Sequence, residues 1–322
     1  MKAIVCEKYG PPEVLQLKEV EKPTPLDNEV LIKVHTTTVT KYDCWQRSST
    51  APAGFWLPNR IASGILKPNN PILGTELAGE IEEVGRDITL FKKGDQIFGC
   101  PGVNMGAYAE YICLPEEAVA VKPVNMTYEE AAAVPMGGLT ALYFLRKANI
   151  QRGQNVLIFG ASGGVGMYAV QLAKYYGAEV TGVCSTAKMD MVKSLGADKV
   201  IDYTQEDFTK RGEIYDVIFD TVGKSPFSGS IKSLKENGFY LFTTFGLPLL
   251  FRMLLLNRNS SKKVKIGLTE ITNTSLNFLK DLVEEGMLNA VIDRCYPLEQ
   301  SAEAHKFVET GHKKGHVVIS ML

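Results

Sequence analysis

Four glycines lie within the seven residues 160–166, in the sequence GASGGVG. The apolar run VLIF precedes them, and the helix-like sequence MYAVQLAKYYG follows them. Glycines at a strand-to-helix turn let backbone N–H groups and the helix N-terminus approach a pyrophosphate. No Gly-Lys-Ser/Thr sequence follows, so the turn is not a Walker A loop. The pattern favours a dinucleotide site over an empty tight turn, formed by Ala161, Ser162, Gly163, Gly164, Val165 and Gly166.

The second strand of this unit ends at Cys184 and not at an acidic residue. An Asp or Glu about 20 residues after the glycines would bind the ribose of NAD and repel a 2′-phosphate. Ser185, Thr186 and Lys188 follow instead, and hydroxyls with an ammonium suit a phosphate. NADPH is therefore the predicted cofactor, unless Ser185 and Thr186 only cap the next helix. A basic turn near the C-terminus could add to this phosphate site, with His312, Lys313, Lys314 and His316.

The composition excludes several classes of partner. The 322 residues include 35 Lys and Arg against 36 Asp and Glu, so no net field attracts nucleic acid. Six cysteines are scattered singly, which indicates free thiols in a reducing compartment. The start of the chain does not resemble a signal peptide, and no uncharged apolar stretch is long enough for a membrane span. We expect a cytoplasmic protein with no integral membrane segment.

The spacing of apolar residues predicts two kinds of sheet. Short alternating strands such as EVLIKVHTTTV fill the first third and indicate an antiparallel, barrel-like domain. After Met126, continuous apolar strands alternate with helices, which is typical of a parallel sheet covered on both faces. Strand-like sequence returns after Leu288, so we expect the C-terminus to rejoin the first domain.

Eight sequence blocks occur in a specific order: NEVLIKV, GTELAGEIEEVG, FKKGDQIFG, AAAVPMGGLTA, GASGGVG, KSLGAD, DVIFDTVG and GHVVI. Together they resemble the medium-chain dehydrogenase/reductase superfamily and, within it, the zinc-free quinone oxidoreductases related to ζ-crystallin. The resemblance implies an α/β protein with a GroES-like β-barrel domain and a Rossmann domain, which is a doubly wound parallel sheet. We expect the GroES-like catalytic domain over 1–121, completed by 288–322, and the NADPH-binding Rossmann domain over 122–287.

The resemblance also implies further cofactor contacts. Tyr203 would join the 2′-phosphate site, or it is a packed aromatic at a strand end. Thr140 would lie beside the nicotinamide, or it bonds its own helix backbone. The C-terminal ends of parallel strands, where an open α/β sheet binds its ligand, hold Val222, Gly223, Phe245 and Gly246. Gly223 alternatively only begins a turn.

The element that faces the nicotinamide in this family matches Thr40, Tyr42, Asp43 and Trp45. The family commonly has asparagine at the position of Thr40 and tyrosine at that of Trp45, so the donor to the substrate carbonyl is an open question. Tyr42 donates this hydrogen bond through its hydroxyl, or it only walls the pocket.

The positions of the family's zinc ligands predict that no metal is bound. Zinc-dependent members have a histidine ligand in the sequence GHE, whereas Thr75 occupies that position in GTE. Thr40 and Asp43 match the zinc-free pattern, and Cys100 and Cys113 cannot form a four-thiolate structural site. Without a Lewis acid, the acceptor must spread its developing charge itself. We expect NADPH-dependent reduction of small lipophilic quinones or α,β-unsaturated carbonyls.

Two other functions stay open. A 2-enoyl thioester reductase would need a tyrosine donor and a basic entrance, for which Lys262, Lys263 and Lys265 are candidates. The other is a non-catalytic NADPH-binding protein of the crystallin or RNA-binding type.

The most apolar stretch of the chain is LPLLFRMLLLN, residues 247–257. It predicts a buried helix lining the cleft, or a segment that contacts a membrane surface, in which case peripheral contact extends over 247–265. The strand-like sequence KVKIGLT could pair with its copy in a homodimer.

Overall fold

The computed structural model describes residues 1–50, 60–61, 63–243 and 246–321. In these residues the chain forms a two-stranded ribbon, a seven-stranded sheet and a six-stranded sheet. The ribbon pairs β1 (Lys2–Cys6) with β2 (Leu15–Glu19) in antiparallel orientation. The two larger sheets correspond to the two apolar patterns of the sequence.

The seven-stranded sheet is mainly antiparallel and is built around the long strand β3. β3 pairs with β4 along most of its length, with β6 at its start and with β15 at its end, where Val318 lies opposite Thr38. The last strands of the chain therefore complete the sheet of the first third. The strands are β3 (Glu29–Thr38), β4 (Leu77–Val84), β5 (Gln96–Gly99), β6 (Tyr111–Pro115), β7 (Val119–Val121), β14 (Ile292–Pro297) and β15 (His316–Ser320).

The six-stranded sheet is parallel throughout, in the order β10-β9-β8-β11-β12-β13. The order reverses between β8 and β11, and ligands of open α/β sheets bind at this switch point, beyond the carboxyl ends of the strands. The strands are β8 (Asn155–Phe159), β9 (Glu179–Cys184), β10 (Lys199–Asp202), β11 (Tyr215–Asp220), β12 (Leu234–Phe242) and β13 (Lys263–Ile266).

Helices cover both faces of the parallel sheet because its strands are apolar on both sides. One core cluster joins the sheet to α3, α4 and α8, and a second cluster on other strand residues receives α6 and α7. The helices are α1 (Lys41–Ser48), α2 (Tyr128–Ala133), α3 (Pro135–Ala148), α4 (Gly164–Tyr175), α5 (Met189–Ser194), α6 (Phe227–Lys232), α7 (Leu247–Asn259), α8 (Asn273–Glu284) and α9 (Ser301–Glu309).

The α/β class predicted from the sequence is confirmed, with one mainly antiparallel and one parallel sheet. All six cysteines are free thiols. Among the residues described above, no helix combines the length and the apolar character that crossing a bilayer would need.

Candidate active site

The glycine turn joins β8 to α4. Gly160 turns the chain with φ +83°, and the N–H groups of Gly160 and Ala161 both donate to Val183 O at 3.0 Å. α4 begins at Gly164, and its N-cap residue Gly163 has no side chain to cap the first turn. The exposed N–H groups and the positive end of a helix attract an anion. The turn therefore has the chemistry of a pyrophosphate site.

Two glycines of this turn have different physical roles. A Cβ atom on Gly166 would lie 2.1 Å from Gly160 O, so close packing of α4 on the turn requires glycine there. A Cβ atom on Gly164 would meet only His316 Cε1, at an ordinary 3.5 Å. Packing within the protein does not explain Gly164, whereas a ligand approaching the helix N-terminus would.

The turn after β11 touches the glycine turn at the switch point. A Cβ atom on Gly160 would lie 2.8 Å from both Thr221 Oγ1 and Val222 Cγ1. The buried carboxylate of Asp220 accepts hydrogen bonds from Val222 N–H at 2.9 Å and from Gly223 N–H at 2.7 Å. Gly223 has φ +71°, so it does form a turn, and that turn borders the predicted crevice.

The two positions predicted after β12 differ in what the structure describes. Gly246 is the N-cap residue of α7 in extended conformation. Phe245 lies outside the described residues.

The predicted 2′-phosphate corner follows β9 and β10. The Ser185 side chain makes no capping hydrogen bond, whereas Thr186 Oγ1 donates to Asp202 Oδ2, so capping by Ser185 is not observed. Lys188 Nζ donates to Gly311 O at 3.2 Å, and burial lowers the pKa of Lys188. Tyr203, 58% exposed, follows the end of β10.

The C-terminal basic turn reaches this crevice. Burial lowers the pKa of Lys313, and the Glu76 carboxylate opposes this shift while the Lys188 ammonium adds to it. The His316 ring lies 5.6 Å from that of Tyr168, and burial lowers the pKa of His316 to about 3. The turn brings the neutral imidazole of His316 to the start of α4.

Thr40 and Asp43 form the capping box of α1. Thr40 Oγ1 donates to Asp43 Oδ2 at 2.5 Å, and Asp43 N–H donates to Thr40 Oγ1 at 3.2 Å. Asp43 Oδ1 also accepts from Gly74 N–H at 3.2 Å, and burial raises the pKa of Asp43 to about 6. The hydroxyl proton of Thr40 is therefore engaged within the protein. The spacing Thr-x-x-Asp before a helix is a signal that sequence reasoning could have used.

Tyr42 and Trp45 lie one turn apart on α1, and both are half-buried. Gln46 Nε2 donates to Tyr42 Oη at 2.6 Å, and burial raises the pKa of Tyr42. Because the phenol oxygen is the acceptor in this contact, its own proton stays available for another oxygen.

Glu76 is a functional candidate that sequence reasoning missed. It is buried, and its two carboxylate oxygens accept from Thr38 Oγ1 at 2.5 Å and from Met136 N–H at 2.8 Å. Met136 lies in the first turn of α3, so Glu76 connects the antiparallel sheet to a helix of the parallel sheet. Burial raises its pKa to about 8.

Thr140 lies on α3, one turn beyond Met136, and is 9% exposed. Its Oγ1 accepts from Thr269 Oγ1 at 3.1 Å. The observed partner is therefore a loop residue after β13, and not the backbone of its own helix.

Residues 26–124 match the family described as alcohol dehydrogenase GroES-like domain, and residues 195–319 match the family described as zinc-binding dehydrogenase. The chloroplast envelope quinone oxidoreductase homolog of Arabidopsis thaliana is 33% identical, over 99% of this chain and 98% of the relative. The chain belongs to the medium-chain dehydrogenase/reductase superfamily.

This medium-chain dehydrogenase/reductase is also 32% identical to the 2-methylene-furan-3-one reductase of Solanum lycopersicum, over 99% of the chain and 79% of the relative. The Escherichia coli quinone oxidoreductase, solved as a complex with NADPH, has a TM-score of 0.83 at 27% identity, with 99% of this chain and 100% of that chain covered. The expected GroES-like and Rossmann architecture is confirmed. The family makes the chain an NAD(P)H-dependent oxidoreductase.

The donor set of this medium-chain dehydrogenase/reductase does not fit a catalytic zinc ion. Thr75 stands at the histidine position, and its buried Oγ1 has no hydrogen-bond partner among the described residues. The Thr40 side chain offers only a hydroxyl, which already donates a hydrogen bond to Asp43. Zinc sites in proteins use thiolate, imidazole and carboxylate ligands, and the described ranges contain no group of three such side chains placed to hold a metal.

We predict that Gly164→Ala weakens NADPH binding about tenfold or more without unfolding the protein, because the added methyl group meets only His316 Cε1 at 3.5 Å and would obstruct a ligand at the helix N-terminus. The matched variant Gly166→Ala should instead lower the free energy of unfolding by about 1–3 kcal/mol, since its methyl group meets backbone. Fluorescence titration and thermal unfolding measure the two effects. Wild-type NADPH affinity in Gly164→Ala would contradict this assignment.

We predict that Glu76 makes the protein less stable as the pH rises. Its pKa of about 8 in the folded state exceeds the unfolded value of about 4.3, so folding binds a proton between these values. The Glu76 contribution to the free energy of unfolding should fall by up to about 1.4 kcal/mol per pH unit across this window, whereas His316, whose pKa burial lowers to about 3, adds an opposite slope below about pH 6.5.

Glu76→Gln should remove that slope, whereas Glu80→Gln, an exposed carboxyl on the following strand, should retain it. Urea unfolding between about pH 5 and 8 measures the slopes. Equal slopes in wild type and Glu76→Gln would refute the proton uptake.

Proposed function

We propose that this chain is a zinc-independent, NADPH-dependent reductase of small lipophilic quinones or α,β-unsaturated carbonyls. The observation that carries the proposal is the donor set: Thr75 stands at the position of the histidine ligand of zinc-dependent relatives, and the Thr40 hydroxyl is bonded to Asp43. An acceptor that delocalises negative charge needs hydrogen bonding more than a Lewis acid. The relatives named as quinone oxidoreductase and 2-methylene-furan-3-one reductase act on acceptors of this kind, which supports the choice.

The cofactor would be bound by the glycine turn and the corner after β9. The first turn of α4 would receive the pyrophosphate, while Ser185, Lys188 and Tyr203 would surround the 2′-phosphate. Val222, Gly223, Phe245 and Gly246 would line the same strand ends. When bound, the reduced nicotinamide supplies a hydride. Thr140 on α3 is proposed to lie beside the nicotinamide, and the NADPH complex of the Escherichia coli structure supports this cofactor.

The protein's own contribution to the reaction would be a hydrogen bond to the acceptor oxygen. Tyr42 is the proposed donor because Gln46 engages its oxygen and leaves its proton available. Thr40 and Asp43 are proposed as positioning residues, since their mutual hydrogen bonds hold the start of α1. Trp45, one turn further along α1, would wall the acceptor pocket.

Tyr42→Phe should lower kcat about tenfold to a hundredfold, because it removes the hydroxyl and keeps the ring. The dissociation constant for NADPH should be unchanged, since the residue is proposed to face the acceptor and not the cofactor. Stopped-flow oxidation of NADPH with a soluble quinone measures kcat. Unchanged turnover would leave Tyr42 as a wall residue only.

Lys188→Met should weaken NADPH binding about tenfold or more and leave NADH binding unchanged, because only NADPH carries the 2′-phosphate. Lys193→Met removes an exposed lysine of α5 and serves as the matched control. Calorimetric titration with both cofactors measures the effect. Tighter binding of NADH than of NADPH by the wild type would overturn the cofactor assignment.

The thioester reductase hypothesis has less support. Lys262 Nζ donates to Ile231 O, and Lys263 Nζ donates to Asn257 O and Ser260 O. These ammonium groups are already bonded, so they offer a poorer entrance for a phosphopantetheine carrier. NADPH oxidation with a panel of quinones, alkenals and enoyl-CoA esters separates the candidates, and no oxidation with any acceptor would favour a binding-only protein.

We also propose the domain division given above, with a GroES-like domain over 1–121 and 288–322 and a Rossmann domain over 122–287. The pairing of β15 with β3 supports it. A homodimer through the edge strand β13 and a cytoplasmic location remain predictions, as does the absence of a nucleic-acid partner.

A further inference from the structure

Helix α7 has two apolar faces. Leu249, Met253 and Leu256 pack against the core cluster of the parallel sheet. The side of α7 that points away from this cluster carries three large apolar side chains that are mostly exposed: Phe251 (68%), Leu254 (62%) and Leu255 (65%). Their spacing of three and four residues places them on one stripe of the helix.

This outer stripe is unusual for a helix on the surface of a globular domain. Such helices normally carry polar residues on the face opposite the core, and a helix that is apolar all round contacts a second apolar phase. Contiguous exposed apolar side chains on a soluble domain mark a binding surface. We call Phe251, Leu254 and Leu255 the outer stripe of α7.

Among charged side chains, the sequence segment that contains the outer stripe carries only positive ones. Residues 237–269 contain five basic residues and no Asp or Glu, although the whole chain has a net charge of −1. Arg258 is exposed and continues the outer stripe by one turn. The acidic residues that bound this segment are Glu236, which lies 3.9 Å from Lys262 Nζ and offsets one of these charges, and the exposed Glu270. The basic residues are Arg252, Arg258, Lys262, Lys263 and Lys265, of which Lys262 and Lys263 also donate to backbone carbonyls.

The position of α7 relates the stripe to the crevice. The helix follows β12 after Gly246, so its first turn lies at the edge of the sheet where the cofactor site is proposed. Phe251 is the member of the stripe nearest that edge, and Arg258 lies about two turns further away. A surface that contacts the stripe would therefore lie beside the crevice.

We propose that the outer stripe of α7 docks into the interfacial layer of an anionic lipid surface. Phe251, Leu254 and Leu255 enter the boundary between headgroups and acyl chains, and Arg258 contacts headgroup phosphate. A lipophilic acceptor then reaches the crevice from the lipid phase. The docking itself goes beyond the proposed function. Only the delivery of the acceptor rests on that proposed function.

A second copy of the chain fits the stripe less well. A two-fold contact through the stripe, separate from the homodimer predicted through β13, would place the exposed Arg258 of both copies on one shared surface. Like charges repel in such a contact, whereas anionic headgroups neutralise them.

Vesicle co-sedimentation tests the docking. The full chain should bind vesicles of phosphatidylcholine with phosphatidylserine, should bind pure phosphatidylcholine weakly, and should be released by salt. The double variant Leu254→Ser/Leu255→Ser should lose most of this binding, and Arg258→Gln should lose about fivefold on the anionic vesicles only. The control Leu26→Ser/Leu90→Ser changes leucines of similar exposure, 65% and 58%, elsewhere on the surface and should bind like the wild type.

If the full chain sediments with neither type of vesicle, the docking is overturned. Equal binding by the control and the α7 variant would also overturn it. A wild-type dimer that dissociates in Leu254→Ser/Leu255→Ser, measured by light scattering, would assign the stripe to a second copy and also overturn it. Turnover of a water-soluble quinone should be equal in the wild type and the α7 variant. If neither reduces any quinone, the proposed function fails while the sedimentation result still decides the docking.

Discussion

The buried carboxylate of Glu76 connects the two sheets, and the geometry of the crevice depends on this connection. One oxygen accepts from Thr38 at the end of β3, and the other accepts from Met136 N–H at the start of α3. Burial disfavours the charged form, whereas the two donors and the positive end of α3 favour it. Losing the side chain would leave a buried hydroxyl and a helix N–H unpaired, so the two sheets would lose a fixed point of contact.

Hydrogen bonds within the protein hold both buried carboxyls of this region. Asp43 is held by the N–H and hydroxyl of Thr40 and by Gly74 N–H, and Glu76 is held by α3. The Lys313 ammonium interacts electrostatically with Glu76 from the C-terminal turn. These hydrogen bonds only partly compensate for burial, which raises the pKa of both carboxyls and favours their neutral forms.

Periodicity and turn chemistry predict the architecture because both act locally. The apolar runs identify the parallel strands, and the glycine turn identifies the switch point before any contact is known. The partners of Glu76 lie 38 and 60 residues away, so no spacing in the sequence indicates them. The hydrogen bond of Thr40 to Asp43 differs, because the two residues are three positions apart and the sequence itself shows the capping-box spacing. Ser185 was expected to bind phosphate or cap a helix, and only the structure shows that it does not cap.

Helix α7 illustrates what periodicity leaves undetermined. A helical run with apolar residues on opposite sides has no clearly polar face. The sequence alone therefore cannot distinguish a buried helix from one at an interface. The parallel sheet decides this point because it offers one surface and can cover only one side of the helix, the side of Leu249, Met253 and Leu256. Selection for a soluble surface alone would favour polar residues on the other side. The apolar residues that stand there therefore require a cause outside the folding of this chain.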